Sequence, residues 1–161
     1  TVGVGKIYDI FAGRGINKSY KTKDNADGMN CTIQLVRDGE PGLIFVNLVD
    51  FDMKYGHRND VAGYTNALNE VDMQLKELID CMKYNDILII TADHGCDPAT
   101  SSTDHSREYT PMLIYGSTIR RGVDLATRGS FSDIAATIAD IFGVRKPAYG
   151  QSYYEQVKIY N

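Results

Sequence analysis

The sequence predicts an α/β fold, a mostly parallel sheet with flanking helices, and three observations carry that prediction. Two short runs, Leu43-Ile44-Phe45-Val46-Asn47-Leu48-Val49 and Ile87-Leu88-Ile89-Ile90, are almost continuously apolar and rich in β-branched residues. Such runs mark strands buried on both faces of a parallel sheet. Between them Val61, Tyr64, Leu68, Val71, Leu75, Leu78, Ile79 and Met82 recur at three- and four-residue steps. That is one amphipathic stripe, long enough for a crossover helix between parallel strands. Each run also ends in a cluster of Asp and His, and ligands of open α/β sheets gather at the carboxyl ends of strands.

Taken in order, residues 2–7 read as a strand ending near Lys6, followed by the turn Ala12-Gly13-Arg14-Gly15. A chain that opens inside a strand reads as one that lacks its natural N-terminus. Asp24 or Asn25 caps a helix to about Val36, with Met29, Ile33, Leu35 and Val36 on its apolar side. Asp38-Gly39 and Pro41-Gly42 form a loop before the first apolar run. The long helix starts at Asn59 or Asp60 and stops at Tyr84-Asn85-Asp86. After the second run comes Thr91-Ala92-Asp93-His94-Gly95, then a polar loop over 97–103 and a short strand within Pro111-Met112-Leu113-Ile114-Tyr115-Gly116. Ser130-Phe131-Ser132-Asp133 resembles a capping box with Asp in place of Glu. The helix it opens turns Phe131, Ile134, Ala135, Ile138, Ile141 and Phe142 inward and ends at Gly143. The Tyr-rich tail from Lys146-Pro147 onward reads as folding back over the surface.

Composition narrows the function. With 161 residues, 43% hydrophobic and 24% charged, the chain is sized for one soluble domain with a real core. No apolar run approaches the length of a membrane span, and no signal-peptide pattern opens the chain. The net charge of −4 and the lack of a basic cluster argue against a nucleic-acid partner, because phosphate neutralisation supplies most of that affinity. A small anionic substrate stays open, since local positive charge or a metal overrides the overall sign. Cys31, Cys81 and Cys96 are odd in number and show no C-x-x-C spacing. They read as reduced thiols of a cytoplasmic protein, with neither a disulfide framework nor a zinc knuckle.

Five residues stand out as candidate metal ligands: Asp52, His57, Asp93, His94 and His105. They include all three histidines of the chain, each in a loop that follows a strand with Asp nearby. Oxygen ligands mixed with imidazole suit Mn²⁺, Zn²⁺ or Fe²⁺ better than Ca²⁺. Five ligands exceed one tetrahedral zinc site, whereas two metals sharing a phosphoryl oxygen use them all. Around them, Cys96 reads as packing or as a soft ligand. Asp50 and Asp104 read as ligands or, in preference, as acceptors for imidazole N–H groups. Arg107 and Glu108 read as a surface pair, with Arg107 also placed to orient a phosphate. Lys6, at a strand end, is either a solvated charge or a phosphate contact.

The segments Asn47-Leu48-Val49-Asp50-Phe51-Asp52 through Gly56-His57-Arg58, Thr91-Ala92-Asp93-His94-Gly95 with Asp97-Pro98, and Thr103-Asp104-His105-Ser106-Arg107-Glu108-Tyr109 resemble phosphopentomutase. This is the bacterial, manganese-dependent type within the alkaline phosphatase superfamily. The element Ala92-Asp93-His94-Gly95 alone would point only to the superfamily; the three segments together are specific. The resemblance assigns Asp93 and His94 to one metal and Asp52, His57 and His105 to the other. It makes Lys6 a substrate-phosphate contact. It implies two Mn²⁺ (Zn²⁺ or another divalent metal as the alternative) and a sugar bisphosphate as activator. The substrate would be a small phosphosugar, ribose 1-phosphate and ribose 5-phosphate or the deoxyribose pair, interconverted through a phosphorylated threonine.

The resemblance covers nearly all of this chain but only the C-terminal part of the family's length. Residues 1–161 then form the C-terminal portion of a metal-binding core domain. The aspartate completing the first metal site, the threonine nucleophile and the cap domain are expected outside it. Thr100, Ser101, Ser102 and Thr103 match no nucleophile motif and read as loop residues. The isolated chain is expected to be inactive, with exposed apolar strand edges. Two further readings stay open: a phosphoglycerate mutase or phosphatase of the same superfamily, and a metal-binding or oligomerising module without chemistry of its own. Metal identity, pentose preference and oligomeric state are not set by the sequence.

Overall fold

The computed structural model describes Thr1–Tyr160 and divides them into two compact units. The first comprises residues 1–83 and 90–112, the second 84–89 and 113 onward.

The first unit is built on a parallel three-stranded sheet. Strand β1 (Val2–Val4) lies between β2 (Lys18–Tyr20) and β3 (Ile44–Val46). The opening strand is shorter than its apolar run suggests: the chain turns after Val4, and Ile7–Ile10 form a short helix, α1. Helix α2 (Asn25–Asp38) then crosses from β2 to β3, and the Asp24 side chain caps it by accepting from the Asp27 N–H at 2.8 Å. Its inner face meets the sheet, so that Val2, Val4 and Leu35 form a buried cluster flanked by Cys31, Ile44 and Val46. Burying these side chains is the main stabilising contribution of this layer.

Strand β3 is one edge of this sheet, and Phe45, on the face away from α2, is 42% exposed with its ring centroid 5.9 Å from that of Phe11. The continuous apolar run therefore does not mean burial on both faces here.

Helix α3 (Val61–Cys81) is capped by Asp60, which accepts from the Gly63 N–H at 2.9 Å. It packs on α2, with Arg37 donating to Glu77 at 2.6 Å and Gln74 to Asn30 at 3.1 Å. Its buried side is set by Ala67 and Leu78, while Val61 and Leu68 are about half exposed. The helix does not link two strands of one ladder as the crossover reading expects. Strand β4 (Leu88–Thr91) pairs instead with β5 (Met112–Tyr115) in a separate two-stranded sheet.

In the second unit, helix α4 (Ser132–Ile141) carries a core of Ala136, Thr137 and Ala139. The expected capping box does not form. Asp133 points away from the cap, accepting from Arg128 Nε and the Gln151 N–H, both at 2.8 Å. Those bonds, the backbone one first, hold its carboxyl below the usual carboxylate range. The tail does not merely cover the surface either. Tyr153 and Val157, at the ends of the turn that forms α5 (Tyr154–Val157), are fully buried. The Tyr153 N–H donates to Thr137 Oγ1 at 3.0 Å, and the Arg120 N–H donates to the Val157 carbonyl at 2.6 Å.

Candidate metal centre

The candidate residues reach the site on three segments of the first unit. Past β3 the chain coils into a π-helical turn, Phe51–Tyr55, and a 3₁₀ turn, Gly56–Arg58. This wound segment, read from sequence as a charged loop, carries Asp52 and His57. Asp93 and His94 follow β4, and His105 sits in the irregular stretch beyond it.

Asp52 is the centre of the group. Its Oδ1 lies 3.2 Å from His57 Nε2 and 3.4 Å from His105 Nε2, yet it is buried without a hydrogen bond. The His94 ring stacks on His105 at 3.7 Å and 21°, and His57 tilts against His105 at 4.9 Å. Ligand atoms of Asp52, His94 and His105 all lie within 4.8 Å of one another. This trio takes members from both sets that the family resemblance assigns to separate metals. Asp93 stands at the rim, its side chain 79% exposed and Oδ1 3.6 Å from His94 Nε2.

The ring contacts favour lone pairs directed inward. His57 Nδ1 lies 2.5 Å from the Thr103 carbonyl and His94 Nδ1 3.1 Å from the Gly95 carbonyl. A carbonyl only accepts, so each Nδ1 carries a proton, and in the neutral imidazole Nε2 is then the acceptor. In that neutral form, acceptors facing a buried carboxylate oxygen repel one another unless a cation sits among them. Backbone carbonyls on the opposite ring nitrogen are the usual support of metal-binding imidazoles. Nitrogen and carboxylate donors of this kind fit a divalent transition metal.

The surrounding residues correct several expectations. Asp50 does not support an imidazole. Its Oδ2 accepts from the Asn25 N–H at 3.0 Å and from Lys54 Nζ at 2.9 Å, and Asn25 Oδ1 accepts from the Asp50 N–H at 3.0 Å. This reciprocal pair ties the end of β3 to the start of α2, just ahead of Asp52. Asp104 is exposed and donates through its N–H to Ser102 Oγ. Cys96 packs: a Cβ on Gly56 would stand 2.4 Å from its Sγ. Burial, with the Asp52, Glu108 and Asp97 carboxylates adding to it, pushes the Cys96 thiol up. Glu108 pairs with the Ser106 hydroxyl. Lys6 Nζ lies 2.6 Å from the Met53 sulfur, beside the turn that holds Asp52. Thr100 lies in the loop as expected, its hydroxyl donating to the Asp97 carbonyl at 3.0 Å.

Sequence reasoning missed the residues that join the segments. Asn59, left-handed at φ 52°, donates through Nδ2 to the Thr100 carbonyl at 2.5 Å. Ser106 joins its segment to the stretch after His94, pairing with Gly95 and accepting from the Asp97 N–H at 2.7 Å. The only signal for Asn59 is its residue type, since Asn tolerates the left-handed region; Ser106 has none.

Comparison with known proteins shows the family. Residues 5–146 match the family described as the Metalloenzyme superfamily, whose alkaline-phosphatase-like α/β architecture accords with the parallel sheet and flanking helices. The chain is 53% identical over 157 residues to the phosphopentomutase of Carboxydothermus hydrogenoformans, covering 98% of this chain and 40% of that protein. It is 57% identical to that of Pseudothermotoga lettingae over 94% of this chain and 39% of that protein. It is 48% identical to that of Clostridium novyi over 97% and 40%. The chain thus spans about 40% of the length of the curated relatives it matches.

Proposed function

The chain belongs to the metalloenzyme superfamily, and from that premise we propose that it supplies the metal-binding portion of a phosphopentomutase core domain. The observation that carries this reading is the convergence of His57 and His105 Nε2 on the buried, unbonded Asp52 Oδ1, with His94 stacked alongside. Two divalent ions, Mn²⁺ in preference to Zn²⁺, would be shared among Asp52, His57, Asp93, His94 and His105. When bound, such ions neutralise charge on phosphoryl oxygens and lower the pKa of a coordinated nucleophile.

The protein's own part is positioning. Thr103 and Gly95 carbonyls would hold the His57 and His94 rings through their Nδ1–H groups. The wound turn holds Asp52 between the imidazoles. Lys6, beside that turn, would hold the substrate phosphate by charge. The substrate would be ribose 1-phosphate and ribose 5-phosphate or their 2-deoxy pair, with a sugar bisphosphate as activator, in cytoplasmic nucleoside catabolism. The nucleophilic threonine and the cap over the sugar would lie in sequence beyond these 161 residues.

Ribose 1-phosphate conversion with Mn²⁺ tests this, on the 161-residue chain and on a polypeptide of the relatives' full length. Activity confined to the longer chain is the expected outcome. Turnover by the 161 residues alone would overturn the assignment of the nucleophile. A folded, metal-loaded longer chain that leaves ribose 1-phosphate untouched would overturn the substrate.

A further inference from the structure

The geometry points to Ser106 and Glu108 as a positioning pair that sets the spacing of His94 and His105, an inference resting on these histidines as metal ligands. The two histidines come from different stretches, and neither stretch contains helix or extended strand. Their rings nevertheless stack at 3.7 Å. Something outside regular secondary structure must fix that distance.

Ser106 is where the stretches are joined. Its N–H donates to the Gly95 carbonyl at 3.2 Å, and its Oγ accepts from the Asp97 N–H at 2.7 Å. A hydroxyl that accepts one bond must still place its own proton. The Glu108 carboxylate takes it, which leaves the hydroxyl one orientation. Charge-assisted bonds of this kind are stronger than neutral ones. Each histidine is the immediate neighbour of a braced residue, His94 of Gly95 and His105 of Ser106. Loosening the brace therefore moves both rings. Glu108 reaches the cluster through its bond to the Ser106 hydroxyl, so its role runs through Ser106.

Two readouts test the pair on the full 161-residue chain. Calorimetry with Mn²⁺ gives affinity. Imidazole proton shifts of the metal-free protein report the stack, because its three histidines are all in this cluster. Ser106→Ala should weaken Mn²⁺ binding about 10- to 100-fold, the range for losing support behind a ligand. It should also abolish the ring-current shift of the His94–His105 stack. Ser106→Thr keeps the hydroxyl and Glu108→Gln keeps an acceptor, so both should retain the stack and bind more tightly than Ser106→Ala. Glu108→Ala should behave like Ser106→Ala. An unaltered stack and affinity in Ser106→Ala would overturn the brace. Failure to take up Mn²⁺ by the wild-type 161 residues and by a polypeptide of the relatives' full length alike would overturn the metal reading instead, while the imidazole shifts would still decide whether Ser106 and Glu108 hold the rings.

Discussion

Gly95 has no room for a side chain. A Cβ there would stand 2.5 Å from the Ser106 carbonyl oxygen and 2.7 Å from the Glu108 nitrogen, both backbone atoms that cannot swing aside. Gly95→Ala should force the two stretches apart, costing about 1–3 kcal/mol as overpacking does. Urea denaturation of wild type and variant measures that loss. The five candidate ligands were legible because Asp and His cluster where apolar strands end, a pattern readable within a few residues. Ser106, Glu108 and Asn59 were not, since their work is done across stretches remote from one another in sequence or at a turn no periodicity marks. Asp50 misled for a related reason. Its nearness to Asp52 suggested support for an imidazole, but its partner is Asn25, brought close only by the parallel pairing of β1 and β3 and the crossing of α2.

Among the elements, α2, α3, β4 and β5 could be read to within a few residues, since caps and apolar periodicity agree there. Strand β2 left no trace: Lys18, Ser19 and Tyr20 are exposed, and only pairing with β1 makes them a strand. The start of α4 was read wrongly because Ser130 and Asp133 have capping-box spacing, while the real partner of Asp133 is Arg128. That pair carries a prediction. Asp133 is buried and its native carboxyl is held below the ordinary value, so its contribution is fully present above the unfolded pKa of about 3.9. The contribution is lost as pH falls through the lower native value. Asp133→Asn should therefore cost about 2 kcal/mol at neutral pH, as hydrogen bonds to a charged group do. The difference from wild type should shrink below pH 4. Denaturant unfolding across pH 2–7 checks both statements.

For the molecule as a whole, the α/β class followed from the apolar runs and the helix between them. The pairing of strands did not, because a run of β-branched residues does not name its neighbour. The long-helix reading joined β3 and β4 in one sheet; the structure puts them in two. All five candidate ligands lie in the first unit. An ion bound there should slow amide exchange over residues 51–59 and 93–108, and add about 2.7 kcal/mol of stability at a hundred times its dissociation constant. Exchange mapped with Mn²⁺ and again after chelation measures this. A last consequence follows from the distance in sequence between Asp52 and His105. The chain's three cysteines are unpaired, so no covalent link limits how far the unfolded polypeptide can roam. An ion gripped by both residues would be a removable cross-link across half of the first unit. The long ring it closes costs little more entropy than a short one would, since each doubling of the ring adds only about 0.6 kcal/mol.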